Sequence, residues 1–254
     1  MESNNIYTVA KNAFLDEGGF ITFESNLLYL QELQDLMQKS FNLALLYGPP
    51  GVGKSFLLRH FIQEIKRDNI HYLSTPLLFK KQILQILNIN DEKNLFEKIS
   101  SLDMRHIFLL DEAQLYTEEE LEMLRMLSDT QKVSFLLCLH QNKEEELIAK
   151  EHFKTRIFKE IKIEEPKLPE FGIYIQKRLL NARLADLAES FDKKKAKFIY
   201  RYTNGNFRQT NKFMYNLFDI LEFYDTYHPT KVDTKKIQMK FLEMCAISMG
   251  YIDA

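Results

Sequence analysis

Glycine is scarce in this chain, and tryptophan is absent. Only 8 of the 254 residues are glycine, yet Gly48, Gly51 and Gly53 lie within six consecutive positions. Because glycine tolerates positive φ and lets a ligand approach the backbone closely, this cluster indicates a specialised loop. No apolar run approaches the roughly 18 residues that a membrane-spanning helix needs, so we expect no membrane span.

The cysteines, the net charge and the N-terminal residues do not identify a partner. The chain has two cysteines, Cys138 and Cys245, and a formal net charge of -2. A distant pair of cysteines without a CxxC spacing argues against a disulfide framework or a zinc site and fits a reducing compartment. The first residues lack a basic region followed by an apolar one, so a secretory signal is not expected. We expect a cytoplasmic protein, with association at the inner membrane only through partners.

Five short apolar runs alternate with segments of helical periodicity. The runs lie near residues 41–47, 69–75, 107–110, 132–140 and 157–163. Alternation of strands and helices predicts crossover units and a parallel sheet with helices on both faces. The fold class we expect is α/β, of the P-loop NTPase type.

The pattern changes after Pro166. Residues 170–250 show helical periodicity only, so we place a domain boundary at this proline. Residues 1–166 are predicted to form an N-terminal helix and a nucleotide-binding α/β core. Residues 167–254 are predicted to form a small all-α lid.

Residues 48–55 read G-P-P-G-V-G-K-S and fit the phosphate-loop pattern G-x-x-x-x-G-K-[ST] at every fixed position. Phosphate oxygens need many donors close together, which the N–H groups of a tight loop provide. Lys54 would reach the β- and γ-phosphates, and the Ser55 hydroxyl would bind Mg²⁺. The predicted nucleotide-binding residues are Gly48, Pro49, Pro50, Gly51, Val52, Gly53, Lys54, Ser55 and Phe56.

Two acidic residues follow the third apolar run. Asp111 is predicted to hold Mg²⁺ together with Ser55, and Glu112 to orient and deprotonate the attacking water. Adjacent side chains of an extended segment point to opposite faces, so the two carboxylates could serve different roles. The alternative is an acidic helix start that follows a strand.

With both motifs placed, the chain resembles AAA+ ATPases. The stretch LLDEAQLYTEEELEMLRMLSD is similar to the ExeA/GspA-type family, to which the TniB-type transposition helpers are related. Weaker similarity covers IHYLSTPLLFKKQILQILNI, FLLCLHQNKEEEL and YTNGNFRQTNKF. The resemblance covers nearly the whole chain, although His140, Asn142 and Phe207 depart from the family's pattern.

The resemblance implies three further catalytic residues beside Lys54 and Glu112. Gln141 matches the sensor after the fourth strand, whose amide would bridge the γ-phosphate and the water. Arg156 matches an arginine that completes the site of a neighbouring subunit, and Arg208 matches a second sensor on the lid. The alternatives are an ordinary loop amide for Gln141 and solvated surface arginines for Arg156 and Arg208.

The function we expect is an AAA+ ATPase that uses ATP and Mg²⁺ to drive a conformational change. The family implies a homo-oligomer and a protein partner in a secretion, pilus or DNA-uptake assembly. Unlike ExeA-type chains, this one shows no C-terminal membrane segment or wall-binding domain, which indicates a short form or a cytoplasmic helper. One alternative is a DNA-dependent helper of transposition or loading, and another is a nucleotide-gated scaffold with little turnover.

Residues 190–240 are locally basic. They hold eleven Lys or Arg residues against five Asp or Glu residues, a balance of 11 - 5 = +6. Aromatic residues, Tyr200, Tyr202 and Phe207, lie among them. A solvated helix face is the favoured interpretation, and a DNA-facing surface is the alternative.

Overall fold

The computed structural model describes residues 5–15, 19–89, 94–141 and 151–253. The chain divides into two compact units, a core unit of Asn26–Glu164 and a helical unit of Met1–Ser25 with Glu165–Ala254. The second unit begins next to Pro166, where the sequence pattern changes. The first 25 residues group with the helical unit, although the sequence-based boundary left them with the core.

The elements are numbered here in chain order. Those before residue 165 are α1 (Ile6–Leu15), α2 (Glu24–Met37), β1 (Leu43–Gly48), α3 (Lys54–Ile65), β2 (Ile70–Leu73), α4 (Phe79–Ile86), α5 (Leu95–Ser100), β3 (His106–Leu110), a 3-10 turn (Ala113–Leu115), α6 (Glu118–Ser128), β4 (Val133–His140), α7 (Glu151–Lys154) and β5 (Ile157–Lys162). Those after it are α8 (Leu168–Asn181), α9 (Ala185–Ser190), α10 (Lys193–Thr203), α11 (Phe207–Tyr227), a 3-10 turn (Pro229–Lys231) and α12 (Met239–Ser248).

The strands of the core unit form one parallel sheet. Its order is β2-β3-β4-β1-β5, and each neighbouring pair runs parallel. Each of the five predicted apolar runs overlaps one strand, and helices flank the sheet. The predicted α/β class with a P-loop sheet is therefore confirmed.

The central strands β1, β3 and β4 are largely apolar on both faces of this sheet. Leu45, Phe108 and Leu137 lie on one face, in a buried cluster with residues of α4, α5 and α6. The intervening residues Leu46 and Leu136 point to the other face and are fully buried too. Burial on both faces explains why the strands appear in the sequence as continuous apolar runs rather than as alternating patterns.

Helix α6 begins at a capping box, as its sequence predicts. The Thr117 hydroxyl accepts a hydrogen bond from the N–H of Glu120 at 3.2 Å, and the Glu120 carboxylate accepts one from the N–H of Thr117 at 2.7 Å. The two bonds satisfy two N–H groups that would otherwise lack partners at the helix start. This cap fixes where the chain turns after the acidic residues that follow β3.

Helix α1 packs within the helical unit. Tyr7, Ala10 and Phe14 are buried in one cluster with residues of α8, α11 and α12. The ring of Phe218 lies 6.4 Å from that of Tyr7 and 6.0 Å from that of Phe14. Spacing of three and four residues places the three α1 side chains on one helix face. These contacts are why the N-terminal segment groups with the C-terminal part of the chain.

Helix α2 buries only part of its apolar side chains. Leu33 and Leu36 are buried, whereas Leu27 and Leu28 are 52% and 57% exposed. The first turn of α2 therefore contributes little to the core.

Among the residues that the structure describes, no helix has the length and apolar character needed to cross a membrane. This agrees with the absence of long apolar runs in the sequence.

Gly48 ends β1 against the backbone that leaves β5. An added Cβ at Gly48 would lie 2.2 Å from the carbonyl oxygen of Ile163, and a backbone oxygen cannot turn aside as a flexible side chain can. We expect Gly48→Ala to lower the free energy of unfolding of the core unit by about 1–3 kcal/mol, measured by urea or thermal unfolding. Gly19→Ala is the matched control, because nothing lies within 4 Å of its added Cβ. An unchanged unfolding midpoint for Gly48→Ala would contradict the prediction.

Candidate nucleotide-binding site

The predicted phosphate loop lies between β1 and α3. The loop follows Gly48, the last residue of β1, and α3 begins at Lys54. Gly51 and Gly53 have φ of 82° and 97°, the left-handed conformation that glycine adopts without steric cost. The first helical hydrogen bond of α3 runs from the N–H of Leu57 to the carbonyl of Gly53. The preceding N–H groups therefore point out of the helix N-terminus, where they can bind an anion.

Lys54 is held against this loop. Its side chain is buried, and its Nζ donates hydrogen bonds to the carbonyl oxygens of Gly48 at 2.8 Å and Pro49 at 2.9 Å. A buried ammonium needs such acceptors, because burial without them is costly. The loop thus keeps a positive charge beside the N-terminus of α3, as the motif predicts.

Asp111 follows β3 directly and is buried. Its carboxylate accepts hydrogen bonds from the Tyr72 hydroxyl at 2.7 Å and from the N–H of Glu112 at 2.9 Å. Burial, together with the neighbouring Asp111 carboxylate, raises the pKa of Tyr72 well above its usual range. The phenol therefore stays protonated and remains a donor at neutral pH.

Strand β4 joins the two halves of the predicted site. It lies between β1 and β3, and its register pairs His140 with Gly48 of β1 and Leu137 with Leu110 of β3. The phosphate loop and Asp111 follow the carboxyl ends of β1 and β3, so both lie at the same edge of the parallel sheet. Cys138 is a buried residue of β4, and burial, together with the negative charge of Asp111, raises its pKa well above its usual range, while the Lys54 ammonium opposes the rise.

Glu112 turns away from Asp111. It has a φ of 52°, and its carboxylate accepts a hydrogen bond from the Gln114 side-chain amide. The Nε2 atom of His140 lies 3.9 Å from its Oε2 atom. The two carboxylates therefore have different partners, as expected. The reason differs from the one predicted, because β3 ends at Leu110 and Glu112 adopts a left-handed turn rather than an extended segment.

Gln141 follows β4 at this same edge. His140, the last residue of β4, is paired in register with Gly48 at the start of the phosphate loop. Gln141 is half-buried, and its position beside the loop is compatible with the predicted sensor role. Asn142 lies outside the described residues.

Arg156 precedes β5 at the opposite, amino-terminal edge of the sheet. Its Nε donates to Oδ1 of Asp129 at 2.8 Å, and its second guanidinium nitrogen donates to Oδ2 at 3.1 Å. Arg125 donates to the same carboxylate at 2.9 Å. Hydrogen bonds from Arg156, together with the charges of both arginines, lower the pKa of Asp129 below its usual range. Arg156 is therefore not part of the phosphate-loop edge of its own subunit.

Arg208 belongs to the helical unit. It is exposed in the first turn of α11, which begins at Phe207 and is capped by Asn206, whose side chain accepts from the N–H of Gln209 at 3.1 Å. The cap shows that α11 starts without the proline expected at residue 207. The contact of Arg208 with a nucleotide stays a prediction.

Sequence reasoning missed Tyr72, Gln114 and His140 as partners of the two acidic residues. Gln114 could have been suggested by its spacing, because it lies two residues after Glu112. Tyr72 and His140 carry no local signal, since they reach the site only through the order of the strands.

The residues present fit a magnesium nucleotide. Mg²⁺ is usually bound by one or two protein ligands together with substrate phosphates, rather than by a dedicated cluster of carboxylates. Ser55 at the start of α3 and Asp111 provide that modest ligand set. In the described part of the chain, no group of three or more His, Cys, Asp or Glu residues could hold a metal ion by itself.

The comparisons with known proteins match part of the chain to a family model and most of the chain to a fold. Residues 37–148, less than half of the chain, match the family model described as an AAA domain. The fold is that of AAA+ P-loop NTPases, and together with the domain match it supports an ATP-hydrolysing enzyme. No curated protein matches the chain.

Three solved structures are similar in fold. Cdc6p from Pyrobaculum aerophilum is 14% identical, with a TM-score of 0.61 over 86% of this chain and 66% of that chain. Domain III of the replication initiation protein DnaA from Thermotoga maritima is 15% identical, with a TM-score of 0.55 over 99% of both chains. The ORC1 protein of Aeropyrum pernix, solved in complex with DNA, is 12% identical, with a TM-score of 0.58 over 94% of this chain and 69% of that chain.

At these identities the likeness shows the fold alone. The comparisons do not confirm the ExeA/GspA-type subfamily. They also give no support to the type II secretion label, to a secretion or pilus role, or to an association with the inner membrane.

Tyr72 orients the candidate metal ligand Asp111. We expect Tyr72→Phe to raise the Mg²⁺ concentration needed for half-maximal binding of a fluorescent ATP analogue about 10–100-fold, as loss of a hydrogen bond to a metal ligand commonly does. Binding of the analogue in EDTA should stay unchanged, because the phosphate loop is not altered. Tyr215→Phe, on α11, is the matched control. An unchanged Mg²⁺ midpoint for Tyr72→Phe would contradict the prediction.

Proposed function

We propose that the protein binds ATP with Mg²⁺ at residues 48–56 and hydrolyses it with Glu112 as the general base. The proposal is carried by one observation: the phosphate loop with Lys54 follows β1, Asp111 follows β3, and both strands are paired in parallel with β4 between them. A cation suited to phosphate and a carboxylate suited to a metal thus lie at one edge of the sheet. Ligands of open α/β sheets bind at the carboxyl ends of the strands.

The phosphate groups would be bound by the loop itself. The N–H groups at the start of α3 would donate to phosphate oxygens, and Lys54 would exchange its two loop carbonyls for the β- and γ-phosphates. Mg²⁺, held by Ser55 and Asp111, would neutralise negative charge on the phosphates. The contribution of these groups is positioning and charge stabilisation rather than covalent chemistry.

Glu112 is the residue proposed to act on water. Its carboxylate is half-buried and has two polar neighbours, Gln114 and His140, which restrict its orientation. A general base must lie within hydrogen-bond reach of the proton it removes. We propose that Gln141, at the same edge, holds the water against the γ-phosphate.

Arg156 is proposed to act on the nucleotide of a neighbouring copy. It lies at the amino-terminal edge of its own sheet, away from its own phosphate loop, and is bound to Asp129. To reach a neighbour's γ-phosphate the guanidinium would have to leave this carboxylate. Assembly of copies would then supply the charge that completes each site.

Our second proposal concerns the biological role, in which the ATPase would act in a DNA-dependent manner. Cdc6p and DnaA share the fold, and the ORC1 protein of that fold was solved in complex with DNA. This favours the DNA-handling alternative over a secretion or pilus assembly. A nucleotide-gated scaffold without turnover remains a competing function, which a base-deficient variant can eliminate.

We expect Glu112→Gln to slow steady-state ATP hydrolysis about 10²–10⁴-fold, the usual contribution of a general base. ATP binding should persist, because the amide keeps the size of the carboxylate and no phosphate contact is removed. Glu119→Gln, an exposed change on α6 of the same charge, is the matched control. Equal rates for wild type and Glu112→Gln would overturn the proposed chemistry.

Arg156→Ala should reduce hydrolysis by about 10³-fold or more, as loss of an arginine that contacts the transferred phosphate does. The measurement is complementation: this variant is mixed with Glu112→Gln, which is inactive for a different reason. Activity should return, because at some interfaces between the two variants an intact Glu112 of one copy then meets an intact Arg156 of its neighbour. Arg125→Ala, which shares Asp129, is the control and should keep most activity. No recovery on mixing would exclude action between subunits.

A further inference from the structure

Helix α10 carries an exposed row of cations. Lys193, Lys197 and Arg201 recur every four residues and are all exposed. Side chains with this spacing lie on one face of a helix. The helix contains no acidic residue. We call these three residues the α10 cationic face.

The cations of this face have no acidic partners among the described residues. Other cations of the protein do pair, as Lys11 does with Asp219 and Lys159 with Glu32. Within α10 only Lys195 is paired, and it is buried, with its Nζ 3.1 Å from Asp192 Oδ2 and 2.6 Å from the Ser190 carbonyl oxygen. The single carboxylate at the start of α10 is therefore already used by a side chain that points inward.

Folding does not favour this arrangement. Lys193 lies in the first turn of α10, where the helix dipole favours negative charge. Like charges four residues apart also repel each other along a helix. A merely solvated face would be more stable with mixed charges, so the row suggests an anionic partner outside the chain.

An aromatic row runs beside the cations. Phe198 and Tyr202 each follow a member of the face by one residue, and their rings lie 5.2 Å apart. Tyr202 also stacks on Tyr251 at 5.6 Å. Both rings pack against the core of the helical unit and are only partly exposed, so contact with a nucleic-acid strand would rest on the charges of the row rather than on base stacking.

We propose that the α10 cationic face binds the phosphate backbone of DNA. From Lys193 to Arg201 the helix rises about 12 Å, at about 1.5 Å per residue. That length matches about three to four nucleotides of one strand at about 3.4 Å each. The inference rests on the DNA-dependent function proposed above and adds the surface that makes the contact.

The test is fluorescence anisotropy with labelled single-stranded and double-stranded DNA across a range of salt concentrations. The variant replaces the face as Lys193→Gln, Lys197→Gln and Arg201→Gln. We expect at least about 10-fold weaker binding at moderate salt. The slope of the logarithm of the binding constant against the logarithm of the salt concentration should be smaller in magnitude by about two to three, close to one for each lost phosphate contact. Hydrolysis of ATP without DNA should not change, because none of the three residues belongs to the nucleotide site.

The matched control is Lys231→Gln with Lys235→Gln and Lys236→Gln. It removes the same charge from the same unit, outside α10, and should bind DNA as the wild type does. The charge-retaining pair Lys193→Arg and Lys197→Arg should do the same, which separates loss of charge from damage to the helix.

Three outcomes would overturn the proposal. They are equal weakening by both triple variants, no weakening by the α10 variant, and loss of binding to anionic phospholipid vesicles with binding to DNA intact. If the wild type itself bound no DNA, the DNA-dependent function would fail together with this inference. The ATPase proposal would then stand or fall separately on Glu112→Gln.

Discussion

The order of three parallel strands is the constraint on which the site depends. Because β4 lies between β1 and β3, the residues that end these strands meet at one edge of the sheet. Gly48 is paired with His140, and Leu110, the residue directly before Asp111, is paired with Leu137. An order that placed β1 and β3 far apart in the sheet would separate the lysine of the loop from the aspartate. The chemistry is thus a consequence of topology before it is one of individual side chains.

The same edge must keep a carboxylate buried. Asp111 is only 4% exposed, and an unpaired charge at such a position would be costly. Tyr72 and the N–H of Glu112 satisfy two of its acceptor positions from one side. The left-handed turn at Glu112 lets its N–H donate to Asp111 and also directs the Glu112 side chain towards Gln114 and His140. One local conformation therefore stabilises the proposed metal ligand and separates the proposed base from it.

Sequence motifs and hydrophobic periodicity predicted the strands and the phosphate loop, since both signals depend on residues that are close in sequence. The five strands, the phosphate loop and the Thr117 cap could be located because each depends on residues close in sequence. Tyr72 and His140 could not be placed, because their contacts depend on strand order. The grouping of helix α1 with the helical unit depends on the same kind of contact, since its partner Phe218 lies some two hundred positions later. The pairing of Asp129, which follows α6, with Arg156, which precedes β5, could not be predicted from the spacing of residues in the sequence.

Helix α10 is stable although it carries a row of like charges that does not favour folding. Ile199 and Thr203 are buried on its inner side, and Asp192 caps its start by accepting from the N–H of Lys195 at 2.9 Å. These interactions stabilise the helix regardless of what its outer side carries. The outer positions are then free of packing demands, so a row of like charges there leaves the helix intact. Apolar burial on one face is what permits the other face to be specialised for an anion.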